Sequence, residues 1–226
     1  MDIVLIPGLW LDASSWNDVA RELRSLGHRP VALDLPGQGD GCTSATLDDH
    51  VRVVVAAVDA SSGPPLVVGP GDASTLAWLA ADRRPDKVAG VVCVGHYPVG
   101  GGHYADFYDH VGDVVPFPGW EAFDDTEVVD LDASLRRRIA RGAVPVPVTV
   151  VRSEIHVRDA RRMEVPVTLV GLEITAAEAR SDIEGGDVPE LETVRHLDLV
   201  DLGPGSWPQF SRPVDLAGVI SAAAHR

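Results

Sequence analysis

Residues 65–74 read PLVVGPGDAS, and three structural signals follow one another there. Leu66 to Val68 is a short apolar run without strict alternation, the mark of a strand buried on both faces. Gly69, Pro70 and Gly71 make a turn of small residues, and Ala73 to Asp82 is then rich in Ala, Leu and Trp and ends before Pro85. A strand that feeds a helix through such a turn is half of a βαβ unit. Apolar runs recur at Ile3 to Ile6, Val31 to Leu33, Val88 to Val94, Val165 to Val170 and Leu197 to Leu202. Helix-like stretches lie between them: one capped by Ser14 or Ser15 that runs through Leu26 and stops at Gly27, one from Thr46 to Ala60, and a last one from Pro213 through Ala224. The alternation predicts an α/β fold with a mainly parallel sheet and right-handed crossovers.

The 226 residues are expected to form one domain, since 45% are apolar and 23% charged, ordinary proportions for a packed core. Against 34 acidic residues stand 19 basic ones, and the net charge of −15 disfavours nucleic acid and anionic membrane surfaces as partners. No apolar run reaches the roughly 18 residues of a membrane span. The opening Met1-Asp2 lacks the basic start of a signal peptide, so a cytoplasmic protein is expected. Cys42 and Cys93 have no zinc-type spacing and read as idle thiols.

The rhythm breaks between about Tyr97 and Met163. This segment contains VVPFPGW (114–120) and two expected short helices, around Asp130 to Arg141 and Ser153 to Arg162, but no clear strand. An insertion of this length, 97–163, reads as a lid over a site at the carboxyl ends of the strands. Its eight arginines between Arg136 and Arg162 face only Glu154 and Asp159, which would let it steer an anion, pair with the acidic body or simply form a solvated face. His103, Asp106 and His110 in GGHYADFYDH (101–110) would share one face if that stretch were helical, but nothing else supports a metal and none is expected.

Three stretches in order resemble the α/β-hydrolase superfamily, in its small esterase-like branch: IVLIPGLWLDASSW (3–16), ALDLPGQGDG (32–41) and PLVVGPGDAS (65–74). The resemblance implies a six-stranded sheet in the order 2-1-3-4-5-6 and a nucleophile at the centre of a Gly-x-Ser-x-Gly turn. Here Gly71 holds that centre. It also implies an acid after the next-to-last strand, where Glu173 stands, and a histidine after the last, where GPGSWP (203–208) has Ser206. Without nucleophile and base a serine-hydrolase unit loses most of its rate.

The oxyanion donors implied by the resemblance, the backbone N–H groups of Leu9 and Asp72, do not depend on side-chain identity. His96 in VGHYP (94–98), Tyr97 beside it, Glu173 and Asp72 are the candidate catalytic groups. Asp72 also has a second reading, as a nucleophile in the manner of epoxide-cleaving relatives, and Ser74 reads as a buried hydroxyl bonded to a carbonyl. Trp10, Trp16, Phe117, Trp120, Trp207 and Phe210 are expected around the cleft, and Trp10, Phe117, Trp120 and Trp207 are the expected substrate contacts. These readings point to a cofactor-independent, non-hydrolytic enzyme acting on a small, largely apolar oxygenated metabolite by cyclisation, isomerisation or elimination. Two alternatives stay open: a dead hydrolase that binds a small molecule or serves as a partner subunit, and an esterase or epoxide hydrolase with relocated groups. The oligomeric state is open, a homodimer included.

Overall fold

A computed structural model describes residues 1–225. Six parallel strands form the central sheet: β1 (Asp2–Leu5), β2 (Arg29–Ala32), β3 (Leu66–Pro70), β4 (Gly90–Val94), β5 (Val167–Gly171) and β6 (Leu197–Asp201). Their order is β2-β1-β3-β4-β5-β6, as the resemblance implies. Alternation within each strand divides the apolar residues between two cores. Val4, Val67, Val91 and Cys93 face one side, and Ile3, Leu5, Leu66, Val68, Val92 and Val94 face the other. Strands buried on both sides need no polar face, which is why the sequence shows unbroken apolar runs. Burial pushes the Cys93 thiol up to about 12, while Cys42 is exposed, and both are free.

The helices α1 (Asn17–Ser25) and α5 (Pro213–Ala223) cover one face, with Trp16, Val19, Leu23, Leu216 and Ile220 buried between them and the sheet. On the other face lie α2 (Leu47–Ala60) and α3 (Ala73–Arg83). Thr46 caps α2 in a reciprocal pair with Asp49. At the entry to α1 the cap is Asp12, not Ser14 or Ser15: its carboxylate accepts the Ser14 N–H at 2.9 Å and a short 3₁₀ turn precedes the α-helix. Among the described residues no helix is long and apolar enough to cross a membrane.

Between β4 and β5, residues 97–163 hold α4 (Ala133–Gly142), capped by Asp132, and a small antiparallel pair, Val114–Val115 with Val146–Pro147, that the sequence does not announce. The expected helix over Ser153 to Arg162 does not form; a single turn at Val148–Val151 and a 3₁₀ turn at Ala160–Glu164 flank an irregular stretch. The reason is long-range. Buried Asp82 in α3 accepts the N–H groups of Arg158 and Asp159 at 2.7 and 2.8 Å, drawing that backbone out of helical pairing. Residues 103–110 are not helical either. Asp106 pairs with Arg152 at 2.9 Å, His110 Nδ1 lies 3.0 Å from the Gly112 carbonyl, and no metal-ligand group of three assembles among the described residues.

The sequence 65–74 builds the tightest point of the sheet. Gly71 adopts φ +54° and its N–H is donated to the Val94 carbonyl at 2.9 Å, while Ser74 Oγ donates to the Gly69 carbonyl at the same distance. A Cβ on Gly69 would lie 2.0 Å from the Ala73 carbonyl oxygen, whereas a Cβ on Gly71 would meet nothing within 4 Å. Gly69 is thus required by space and Gly71 only by backbone conformation. Gly69→Ala is expected to cost about 3 kcal/mol of stability by overpacking, and Gly71→Ala only about 1 kcal/mol of left-handed strain. Urea denaturation of both variants measures the difference.

Candidate functional site

A cleft opens at the carboxyl ends of the strands. Each wall follows from the topology. Gly8 to Leu11 come from the loop after β1, Pro70 to Asp72 from the turn after β3, His96 from the end of β4, and Ser206, Trp207 and Gln209 from the loop after β6. Tyr108, Phe123 and Glu127 reach it from the 97–163 segment.

The first loop is held in an uncommon shape. Trp10 has φ +62°, strained for a bulky residue by roughly 1–2 kcal/mol. The buried amide of Gln38 sustains it by donating to the Gly8 and Leu11 carbonyls at 3.0 and 2.6 Å. With those carbonyls turned to Gln38, the Leu9 N–H has no acceptor elsewhere in the described chain. Gln38 lies inside the quoted ALDLPGQGDG motif, but its partner carbonyls are some 30 residues away and no local pattern points to them.

Asp72 begins α3 without capping it by its side chain. Burial raises its carboxyl above the ordinary carboxylate range, opposed by the positive field of His96 and by its own backbone N–H. His96 is exposed and lines the cleft. Burial and the Asp72 and Glu127 carboxylates together hold the Tyr108 phenol in its protonated form far above neutral pH. Ser206 donates its hydroxyl to Glu173 Oε1 at 2.9 Å, and its N–H goes to the Glu127 carbonyl at 2.8 Å. Glu173 stands behind Ser206 and outside the cleft lining.

Several expected residues sit elsewhere. Tyr97 donates its hydroxyl to Asp182 at 2.8 Å and does not line the cleft; the phenol that does is Tyr108. Phe117 and Trp120 form a second layer, edge-on to Trp10 at 5.8 Å and to Trp207 at 5.5 Å, with the Trp120 indole N–H on the Arg136 carbonyl. Trp16 is buried under the opposite face and donates to the Ile6 carbonyl at 2.9 Å. Phe210 packs on Trp207 from outside. The arginines of the inserted segment do not line the cleft either: Arg152 pairs with Asp106, Arg161 with Asp86 and Asp159, and Arg162 with Glu190 and Asp82. The one close Ser–His pair among the described residues, Ser221 with His28 at 2.9 Å, lies outside the cleft.

A family model for the alpha/beta hydrolase fold matches residues 3–143, and the chain belongs to that family. The rice (Oryza sativa subsp. japonica) esterase PIR7B is 34% identical over 98 residues, a match spanning 40% of this chain and 37% of the esterase's length. Among solved structures, an extracellular α/β-hydrolase from a Paenibacillus species superposes with a TM-score of 0.80 at 18% identity, covering 99% of this chain and 98% of the other. Tomato methylketone synthase I, as an H243A variant complexed with beta-ketoheptanoate, has a TM-score of 0.73 at 15% identity, covering 99% and 96%. At those identities the likeness shows the fold.

The raised carboxyl of Asp72 fixes the sign of a stability effect. The folded state holds this proton at a pH where the unfolded chain, near pKa 3.8, has lost it, so stability declines as pH rises above that value. Asp72→Asn removes the penalty. The variant is expected to melt about 3 °C above the parent at pH 7, with the gap closing as the pH falls toward 4; thermal unfolding followed by circular dichroism at both pH values measures it.

Proposed function

We propose that the chain is a non-hydrolytic, cofactor-independent enzyme that moves a proton on a small, largely apolar carbonyl compound. One observation carries the reading: the turn at φ +54° has glycine at residue 71, and the hydroxyl of Ser206 is committed to Glu173. Gly71 takes the place of the family's nucleophile and Ser206 that of its histidine. Glu173 keeps the acid's place and accepts from residue 206, as it would from an imidazole. Residue 71 therefore offers no atom on which a covalent acyl intermediate could form.

The remaining groups suit proton transfer. In this reading the carbonyl oxygen accepts from the Leu9 and Asp72 N–H groups, where one such donor is worth about 3 kcal/mol to a developing oxyanion. His96 or Asp72 takes a proton from the neighbouring carbon, the charge passes to that oxygen, and the proton returns at a new position or a leaving group departs. The phenol of Tyr108, held protonated and lining the cleft, serves as a hydrogen-bond donor to the substrate. Residues 97–163 serve as the lid through Tyr108, Phe123 and Glu127. The tomato neighbour, a synthase complexed with a β-keto acid, supports carbonyl chemistry on this fold. The rice esterases argue for hydrolysis in the family, and this chain departs from that at residues 71 and 206. Asp72 as a nucleophile is disfavoured, since residue 206 offers no imidazole to complete such a unit.

The parent is expected to leave p-nitrophenyl acetate uncleaved above the buffer rate. The double substitution Gly71→Ser with Ser206→His should gain esterase activity that neither single change gives, because the unit is non-additive; a folded, inert double variant would show that these positions are wrongly assigned. The reaction class is tested with 2-tetralone in deuterium oxide, by following α-proton exchange by NMR. About 100-fold acceleration is expected, abolished in Asp72→Asn or His96→Gln. Exchange only at the buffer rate would count against the proton-transfer reading.

A further inference from the structure

The five tryptophans divide into two groups. The indole N–H groups of Trp16, Trp78 and Trp120 are each donated to a protein acceptor: the Ile6 carbonyl at 2.9 Å, Glu190 Oε2 at 2.6 Å and the Arg136 carbonyl at 3.1 Å. Those of Trp10 and Trp207 have no partner, although the side chains are only 3% and 6% exposed. These same two line the cleft. Next to Trp207, Gln209 is 2% exposed, lines the cleft as well, and leaves its buried Oε1 unpaired. A buried polar atom without a partner costs on the order of 1–3 kcal/mol, so native structures rarely leave one so. Three on side chains that line one cavity point to groups kept for a ligand.

Their chemistry narrows the ligand. Two N–H donors and one amide oxygen match a hydroxyl, whose oxygen accepts and whose hydrogen donates. A carboxylate is acceptor-only and would meet the Asp72 and Glu127 side chains in the same cleft with no lysine or arginine to balance it. We propose that Trp10, Trp207 and Gln209 form a hydroxyl-recognition subsite, so that the ligand is an uncharged, largely apolar molecule bearing an alcohol, phenol or enol hydroxyl. The proposal rests on the reading that this cleft is the ligand site. It is independent of turnover.

The experiment follows the five indole N–H signals of ¹⁵N-labelled full-length protein, assigned with Trp10→Phe and Trp207→Phe, during titration with 2-naphthol, 2-methylnaphthalene and 2-naphthoate. The hydroxylated probe should shift the Trp10 and Trp207 signals beyond the shifts the hydrocarbon causes and leave the other three in place. It should bind about tenfold more tightly than 2-methylnaphthalene, one hydrogen bond's worth, and more tightly than 2-naphthoate. Gln209→Leu should remove about that tenfold preference. Equal affinity for alcohol and hydrocarbon, tightest binding of the carboxylate, shifts confined to Trp16, Trp78 or Trp120, or no binding of any probe would each overturn the subsite. Loss of 2-tetralone exchange with this pattern intact would instead count against the proposed reaction alone.

Discussion

The approach of the Gly69 backbone to the carbonyl of Ala73, too close for any side chain, is the constraint on which the rest of the structure depends. It lets α3 start directly off the end of β3, with Ser74 tying the helix back to the Gly69 carbonyl. The turn at the start of the helix then lines the space above the strand ends, where the loops after β1, β4 and β6 also arrive. A helix start so placed favours developing negative charge on a bound oxygen. The cleft is therefore in large part a product of backbone geometry.

The electrostatics of the cleft differ from those of the surface around it. Arg152, Arg161 and Arg162 of the inserted segment are paired with acidic residues outside the cleft. Inside, Asp72 is shifted toward its neutral form by burial, and Tyr108 keeps its proton under the same influence. An uncharged ligand meets no desolvation conflict there, whereas an anion meets the Glu127 side chain with no lysine or arginine in the lining. The strain at Trp10, supported by the two hydrogen bonds of Gln38, belongs to the same arrangement, because it sets the loop that carries the Leu9 N–H.

Much of the fold was legible because its signals are local. The strand runs, the Thr46 cap and the glycine-rich turn each occupy a few consecutive residues, and the sheet order followed from a family resemblance carried by three such stretches. The site was legible in part for the same reason: Leu9, Asp72, His96, Ser206 and Trp207 directly follow strand ends. The sequence sets Tyr97 beside His96, but its hydroxyl is taken by Asp182, 85 residues further on. Trp16 resembled a cleft residue by its nearness to Trp10, yet it lies on the other side of the sheet.

By itself, then, the sequence determined the layers, the tight turn and the identity of residues 71, 173 and 206, since hydrophobic periodicity and glycine stereochemistry act over a few bonds. Only the tertiary structure decided that Tyr108 rather than Tyr97 meets the cleft, that Gln38 braces the first loop, and that two of five indoles lack partners. Those outcomes depend on which distant backbone and side-chain groups arrive at hydrogen-bonding distance, and that is set by packing across the whole chain.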